Sequence, residues 1–253
     1  MRELKRILTA AVSIAAAACG TKEAAGPLEP TGPTGRVRFV DMITDTTRGR
    51  VNAILEGIPF GVNLTYGQST PATLPSPSTA NYSAIYAGSR TLLLKRTADT
   101  TALIATISFT VNANQDQTIY AIGGVGGSAI TPLFVQDDNP AIASSTTRLR
   151  VVNLSPTAAG VDVFVTAPTA DLAAATPTFA NVGYRGASTY ATPAVGTYLV
   201  RIVPAGTAPA DRTAAVLATI ETLALPGGAG RTIVIGDRNV GGTPITAFVL
   251  TDQ

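Results

Sequence analysis

The sequence predicts an all-β protein made of two tandem antiparallel, Ig-like β-sandwich domains. Three observations carry that prediction. Short runs rich in β-branched, aromatic and aliphatic residues, such as 118–122 and 197–203, recur every 10 to 15 residues or so, with Gly, Pro, Asn or Asp between them. No stretch alternates strand with helix, and the helical candidate within the repeats, residues 170–175, is too short to be stable alone. Finally, the chain repeats itself.

The repeat opens with Arg36-Val37-Arg38-Phe39-Val40-Asp41, matched by Arg148-Leu149-Arg150-Val151-Val152-Asn153 at an offset of 112. Residues 51–55 then pair with 161–165, 82–88 with 190–196, 102–107 with 215–220, 118–123 with 232–236 and 130–135 with 245–250. The order never changes and the offset stays between 108 and 115, which describes a duplicated unit of about 100 residues. The expected organisation is an export signal at 1–18, a lipidated Cys19 and tether at 19–35, a first sandwich at 36–138, a linker at 139–147 and a second sandwich at 148–253.

The export segment has Arg2, Lys5 and Arg6 ahead of a mostly apolar run from Ile7 to Ala18. Twelve helical residues reach only about 18 Å, short of a hydrocarbon core of about 30 Å, so this run reads as a cleaved signal rather than a membrane span. Ala16-Ala17-Ala18-Cys19 resembles the lipobox of bacterial lipoproteins, with Ala16 where that family usually has Leu. The resemblance implies acylation of Cys19 and anchoring to the cell envelope, with Gly20 after the cysteine permitting outer-membrane sorting. The simpler alternative is an ordinary signal peptide cut at an Ala-x-Ala site. Residues 20–35, rich in Gly and Pro, read as a semi-extended spacer.

Composition excludes more than it assigns. Charged residues make up only 13% of the 253, and histidine is absent, which removes the commonest general base and metal ligand together. Cys19 is the one cysteine, so neither an intramolecular disulfide nor a cysteine zinc site is available. Loss of residues 1–18 takes Arg2, Lys5, Arg6 and Glu3 from the 18 basic and 16 acidic residues and leaves the chain formally neutral. Nucleic acid is therefore not an expected partner.

The second repeat carries a family resemblance. Arg148-Leu149-Arg150-Val151-Val152-Asn153-Leu154-Ser155-Pro156, then Val161-Asp162-Val163-Phe164-Val165, Phe179-Ala180-Asn181-Val182-Gly183-Tyr184 and Pro193-Ala194-Val195-Gly196-Thr197-Tyr198 closely resemble the DUF4397 domain, a bacterial extracytoplasmic β-sandwich module. In the first repeat Asp41-Met42-Ile43-Thr44 replaces the Asn-Leu-Ser-Pro turn. The resemblance implies architecture and location, and no activity.

Candidate sites are few. Arg36 with Arg38, and Arg148 with Arg150, alternate with apolar residues and are expected on a solvated strand face, the functional alternative being contact with an acidic polysaccharide or lipid headgroup. Asp137-Asp138 and Asp252 close the two repeats; they read as strand stops, the alternative being a Ca²⁺ cluster joined by Asp41 or Asp45. The glycines at 123–127 and 227–230 read as hairpin turns and not phosphate loops, because no helix follows. Tyr66 with Tyr184, and Tyr82 with Tyr190, recur in both repeats as packing residues or, alternatively, as a sugar platform. Asn63 and Asn81 match the N-glycosylation pattern by chance. Lys95 has no Ser-x-x-Lys before it, and the acidic residues of the repeats, Glu56, Glu221 and scattered Asp, lie mostly in apparent turns. The expectation is a non-enzymatic, lipid-anchored envelope protein with no cofactor, whose partner is an unidentified envelope glycan or protein. A carboxylate-based carbohydrate-active hydrolase and a specific glycan or Ca²⁺ binder are the alternatives.

Overall fold

The computed structural model describes residues 32–71 and 81–253. The export signal, Cys19 and most of the tether lie outside the described residues. Those that are described fold into strands joined by turns and short 3-10 segments, and none of their helices is long and apolar enough to cross a membrane.

The first half contains β1 (Thr34–Ile43), β2 (Val51–Leu55), β3 (Ile58–Leu64), β4 (Ser69–Thr70), β5 (Ser83–Tyr86), β6 (Gly88–Arg96), β7 (Leu103–Val111), β8 (Asp116–Gly123) and β9 (Ile130–Asp137). They form two sheets, one ordered β4-β1-β8-β9 with β5 also on β1, the other β3-β2-β6-β7. The second half contains β10 (Arg148–Asn153), β11 (Gly160–Thr166), β12 (Phe179–Gly183), β13 (Gly186–Ala187), β14 (Gly196–Pro204), β15 (Ala218–Leu225), β16 (Gly230–Gly236) and β17 (Thr246–Thr251). Its sheets run β13-β10-β16-β17 and β12-β11-β14-β15, the same order again. Pairing is antiparallel except for β1 with β8 and β10 with β16, which are parallel.

Local sequence explains the strands. In β7, Ile107, Phe109 and Val111 are buried while Thr106, Ser108 and Thr110 are exposed, the alternation of a strand with one covered face. The two-residue turn between β2 and β3 places Glu56 at φ 50° and Gly57 at φ 84°, the left-handed pair that suits a tight hairpin. Glu56 is held there by the Thr91 amide, which donates to its carboxylate at 2.7 Å.

Each half closes around its own core. Val37, Phe39, Leu92, Leu94, Ile107 and Ile119 fill the first, and Leu149, Val151, Val163, Val200, Ile202 and Ile233 the second. A third apolar cluster lies between the halves, where Val40, Met42, Tyr120 and Ile122 of one inner sheet meet Val152, Leu154, Val234 and Leu250 of the other. The two inner sheets are thus covered on both faces, and β1 is buried continuously from Val37 to Ile43. Burying such side chains contributes about 1.5 to 3 kcal/mol each, so the sandwiches hold together as one unit over Gly32–Gln253. The linker is packed as well: the Gly228 amide donates to the Thr146 carbonyl at 2.8 Å, and a Cβ at Gly227 would overlap the Ser144 carbonyl oxygen.

Candidate functional site

The charged residues of the repeats meet in the seam between the inner sheets. Parallel pairing sets Arg38 beside Thr118 and Arg150 beside Thr232, and each arginine Nε donates to that threonine hydroxyl, at 3.0 and 2.9 Å. Each guanidinium then crosses to the other sandwich. Arg38 bonds Asp252 at 2.8 Å and the Thr251 carbonyl at 2.8 Å. Arg150 bonds Asp137, and the Gln136 carbonyl at 3.1 Å. The aspartates are further held by Thr118 (2.5 Å) and Thr232 (2.7 Å), while Tyr82 donates to Asp137 at 2.8 Å and Tyr190 to Asp252 at 3.4 Å. Arg38 also lies 4.6 Å from the Tyr82 ring centre, and Arg150 lies 4.9 Å from that of Tyr190.

This reciprocal exchange has the form of a two-fold interface within one chain. Arg38, Arg150, Asp137 and Asp252 are each at most 3% exposed. Burial alone would lower the Arg38 guanidinium, but Tyr82 and the carboxylates Asp252 and Asp137 raise it on balance; for Arg150, Asp137 leads the same reversal. Burial pushes the phenols of Tyr82, Tyr120 and Tyr190 up, so all three are neutral. The Tyr120 hydroxyl has no hydrogen-bond partner among the described residues.

The arrangement corrects two expectations. Arg38 and Arg150 do not lie on a solvated face, because the second sandwich covers the side of β1 that would otherwise meet water. Asp137 is not a simple strand stop, and neither is Asp252: both complete buried ion pairs. Nor do they join Asp41 in a calcium cluster, since Asp41 pairs with Ala121 while Asp137 lies level with Asp116 and Arg36, five register positions or about 17 Å away. No metal-ligand group of three appears among the described residues.

Several hollows flank the seam. A polar cleft of about 530 Å³ opens at the start of β1 and the end of β9, lined by Arg36, Asp116, Asp137, Asp138 and Asn139 among others. Arg36 holds Asp116 through two nitrogens, Asn139 donates to Asp116 at 2.8 Å, and Arg148 donates to Asp138 at 2.8 Å. Beside it, sharing Gln136, lies a hollow of about 320 Å³ at the open edge between β7 and β9. Its floor is the stacked pair Phe109 and Phe134, with ring centres 6.4 Å apart. At the other end of β1, a cavity of about 210 Å³ is lined by Asp41, Asp45, Arg50, Tyr66 and Asn239, among others. Burial raises the Asp41 carboxyl to about 7, against one hydrogen bond from the Ile43 amide at 3.0 Å. Bonds from the Thr47 hydroxyl and amide, and then Arg48, hold Asp45 low.

The remaining expected sites separate. Residues 123–127 do form the β8–β9 hairpin turn, whereas 227–230 link strands on different sheets and so make a crossover. Tyr66 and Tyr184 line one cavity of about 280 Å³ together with Met42, Ile122 and Leu154, though not as a platform of two exposed rings: Tyr66 is partly buried, with its hydroxyl on the Asp237 carbonyl across the seam, while Tyr184 is 38% exposed. Lys95 lies on β6 opposite Asn52, in an outer sheet. Thr118, Thr232 and Asp237 escaped the sequence reading. The first two recur at an offset of 114, which is a signal. Asp237, buried under Ser155, Thr157 (2.7 Å) and the Gly242 amide (2.7 Å), has no such signal.

Known proteins add a family. No curated protein sequence matches the chain. Among solved structures, a family 26 carbohydrate-binding module from Eubacterium rectale, crystallised with maltoheptaose, aligns over 85% of this chain and 96% of its own at 9% identity and a TM-score of 0.24. A candidate cell adhesion protein from Bacteroides fragilis aligns over 87% and 98% at 9% identity and a TM-score of 0.21. The family model described as "Domain of unknown function (DUF4397)" matches residues 35–164, which are β1 to β9, the linker and the first two strands of the second sandwich. Just over half of the sequence falls within that match, and the chain belongs to the DUF4397 family.

Proposed function

We propose that this chain is a non-catalytic, lipid-anchored envelope protein whose two sandwiches act as a single binding or adhesion body. The observation that carries the reading is the commitment of the carboxylates in the polar cleft: Asp116 to Arg36, Asp137 to Arg150 and Asp138 to Arg148. A glycosidase needs one carboxyl that donates a proton and a second free to attack or to activate water. Each acidic side chain that lines the cleft already accepts a charge-assisted bond from a guanidinium, so none of the three stands as the uncommitted member of such a pair. The seam supports the same reading from another side, because a body that transmits force gains from two sandwiches that cannot swivel. The apolar run before Cys19 supports export and anchoring.

The hydrolase alternative has one observation in its favour. Asp41 and Asp45 line one cavity with proton affinities driven apart, the pattern of an acid and its partner. Against it, Asp45 is occupied by Thr47 and Arg48, and the cavity is smaller than the roughly 300 Å³ of ordinary ligand pockets. Expression of the full chain and of Cys19→Ala in a bacterial host, followed by membrane fractionation and mass spectrometry of the mature N-terminus, tests the anchor. The wild type is expected in the membrane fraction with an acylated cysteine, and the variant in the soluble one. Turnover of chromogenic glycosides that disappears in Asp41→Asn would replace this reading with the second.

A further inference from the structure

The polar cleft and the Phe109–Phe134 hollow share Gln136 and so form one groove along the open edge of the first sandwich. We propose that this groove binds an uncharged oligosaccharide, one sugar ring lying on Phe134 and its neighbours bonding the polar side chains toward Arg36 and Asn139. The inference rests on the binding reading above and names its ligand class.

Three features select that chemistry. Phe134 is 46% exposed, although its ring stacks on the buried Phe109, so a flat apolar face is presented from a rigid strand. The face of an aromatic ring is electronegative and suits the C–H face of a sugar. Next to it, the Gln117 amide nitrogen is buried and has no hydrogen-bond partner among the described residues, a donor whose desolvation is unrecovered until something accepts from it. Beyond Gln136, a guanidinium, a carboxylate and an amide are fixed against one another: Arg36 holds Asp116 at 2.6 Å through Nε, and Asn139 holds it at 2.8 Å. Such planar groups present paired donors and acceptors at the spacing of neighbouring hydroxyls. The charges of this end are already paired, Arg36 with Asp116 and Arg148 with Asp138, which favours a neutral ligand over an anionic one.

The second sandwich supplies an internal control. Matching registers set Gly230 where the first sandwich has Asp116, Arg231 where it has Gln117, and Val249 where it has Phe134. The ring, the unpaired amide and the carboxylate are all missing there.

Isothermal titration or affinity electrophoresis of the full chain in detergent, against oligomers of α-1,4-glucose, β-1,4-glucose and β-1,4-N-acetylglucosamine, tests the proposal. At least one series is expected to bind saturably, with affinity rising with oligomer length. Phe134→Ala should weaken it roughly three- to ten-fold and Gln117→Ala to a similar or smaller degree, while Val249→Ala on the second sandwich leaves it unchanged. Both groove side chains are partly accessible, and unaltered thermal unfolding of the two variants separates lost binding from lost folding. Saturable binding by none of the three series overturns the proposal, as does binding indifferent to Phe134→Ala. Capture of extended peptides along the β9 edge in place of sugars overturns it in favour of strand addition. Failure here leaves membrane anchoring and the absence of glycoside turnover standing, so the two readings fail separately.

Discussion

Arg38 and Arg150 occupy the same place in the two sandwiches and make the same bonds, Nε to a threonine of the neighbouring parallel strand and the far nitrogens to the last strand of the other sandwich. Asp116 and Gly230 also share a place, yet one carries the ion pair at the floor of a cleft and the other has no side chain at all. Asp41 and Asn153 are a third such pair. Asn153 accepts from the Ser155 amide at 3.0 Å and donates to the Ala158 and Val182 carbonyls at 2.8 and 3.1 Å, whereas among the described residues the Asp41 carboxylate accepts from the Ile43 amide at 3.0 Å. The difference teaches that what the halves need from each other is held in common in the seam, while the outer ends are free to diverge.

Breaking the shared part should have the largest effect. Arg150→Met leaves Asp137 buried without its main partner and is expected to cost about 3 to 5 kcal/mol, measured by denaturant unfolding; Arg38→Met, which strands Asp252, should cost about as much. Adding Asp252→Leu to Arg38→Met removes the stranded charge and should recover most of the loss. A clear inequality between the two single variants would show that the seam is less symmetric than its bonds suggest.

Asp41 offers the next test. Its folded carboxyl titrates near 7 because of burial, well above its unfolded value, so the folded state holds the proton more tightly. The contribution of Asp41 to stability is therefore greatest below about pH 4 and is lost as pH rises toward 7 and a little beyond. Asp41→Asn copies the second sandwich and should remove that slope, raising stability by about 2 to 4 kcal/mol at pH 8 while changing little at pH 4. Thermal unfolding at the two pH values checks it, and a gain equal at both would mean that ionisation of Asp41 is not the cause.

Smaller effects sharpen the comparison. Tyr82→Phe removes a 2.8 Å bond to a buried carboxylate and should cost about 1 to 2 kcal/mol, against about 0.5 or less for Tyr190→Phe, whose bond is 3.4 Å. Asp138 is 75% exposed in its pair with Arg148, so Asp138→Ala should cost well under about 1 kcal/mol and lose even that in high salt.

The repeat and most strands were legible because both are local. Alternation in β7, the start of β1 and its copy β10, and the two-residue turn at Glu56-Gly57 need no distant partner. The seam was not legible by alternation, which assigns Arg38 to water. A clue was present all the same: Phe39, Val40, Met42 and Ile43 follow Arg38 almost without interruption, and a strand apolar on both faces must be covered on both. The groove was missed for another reason. Phe109, Gln117 and Phe134 lie on three strands, and nothing in their spacing announces that β7 and β9 flank the same open edge.

By itself the sequence determined the all-β class, the duplication, the near-neutral charge and the exclusion of histidine and cysteine chemistry, since these follow from composition and from side-chain periods along one strand. Only the tertiary structure decided where the arginines and aspartates went. A guanidinium on a strand is equally readable as solvated or buried until the second sheet is in place, and it is the packing of one sandwich against the other that turns four ordinary surface charges into the closed pairs of the seam.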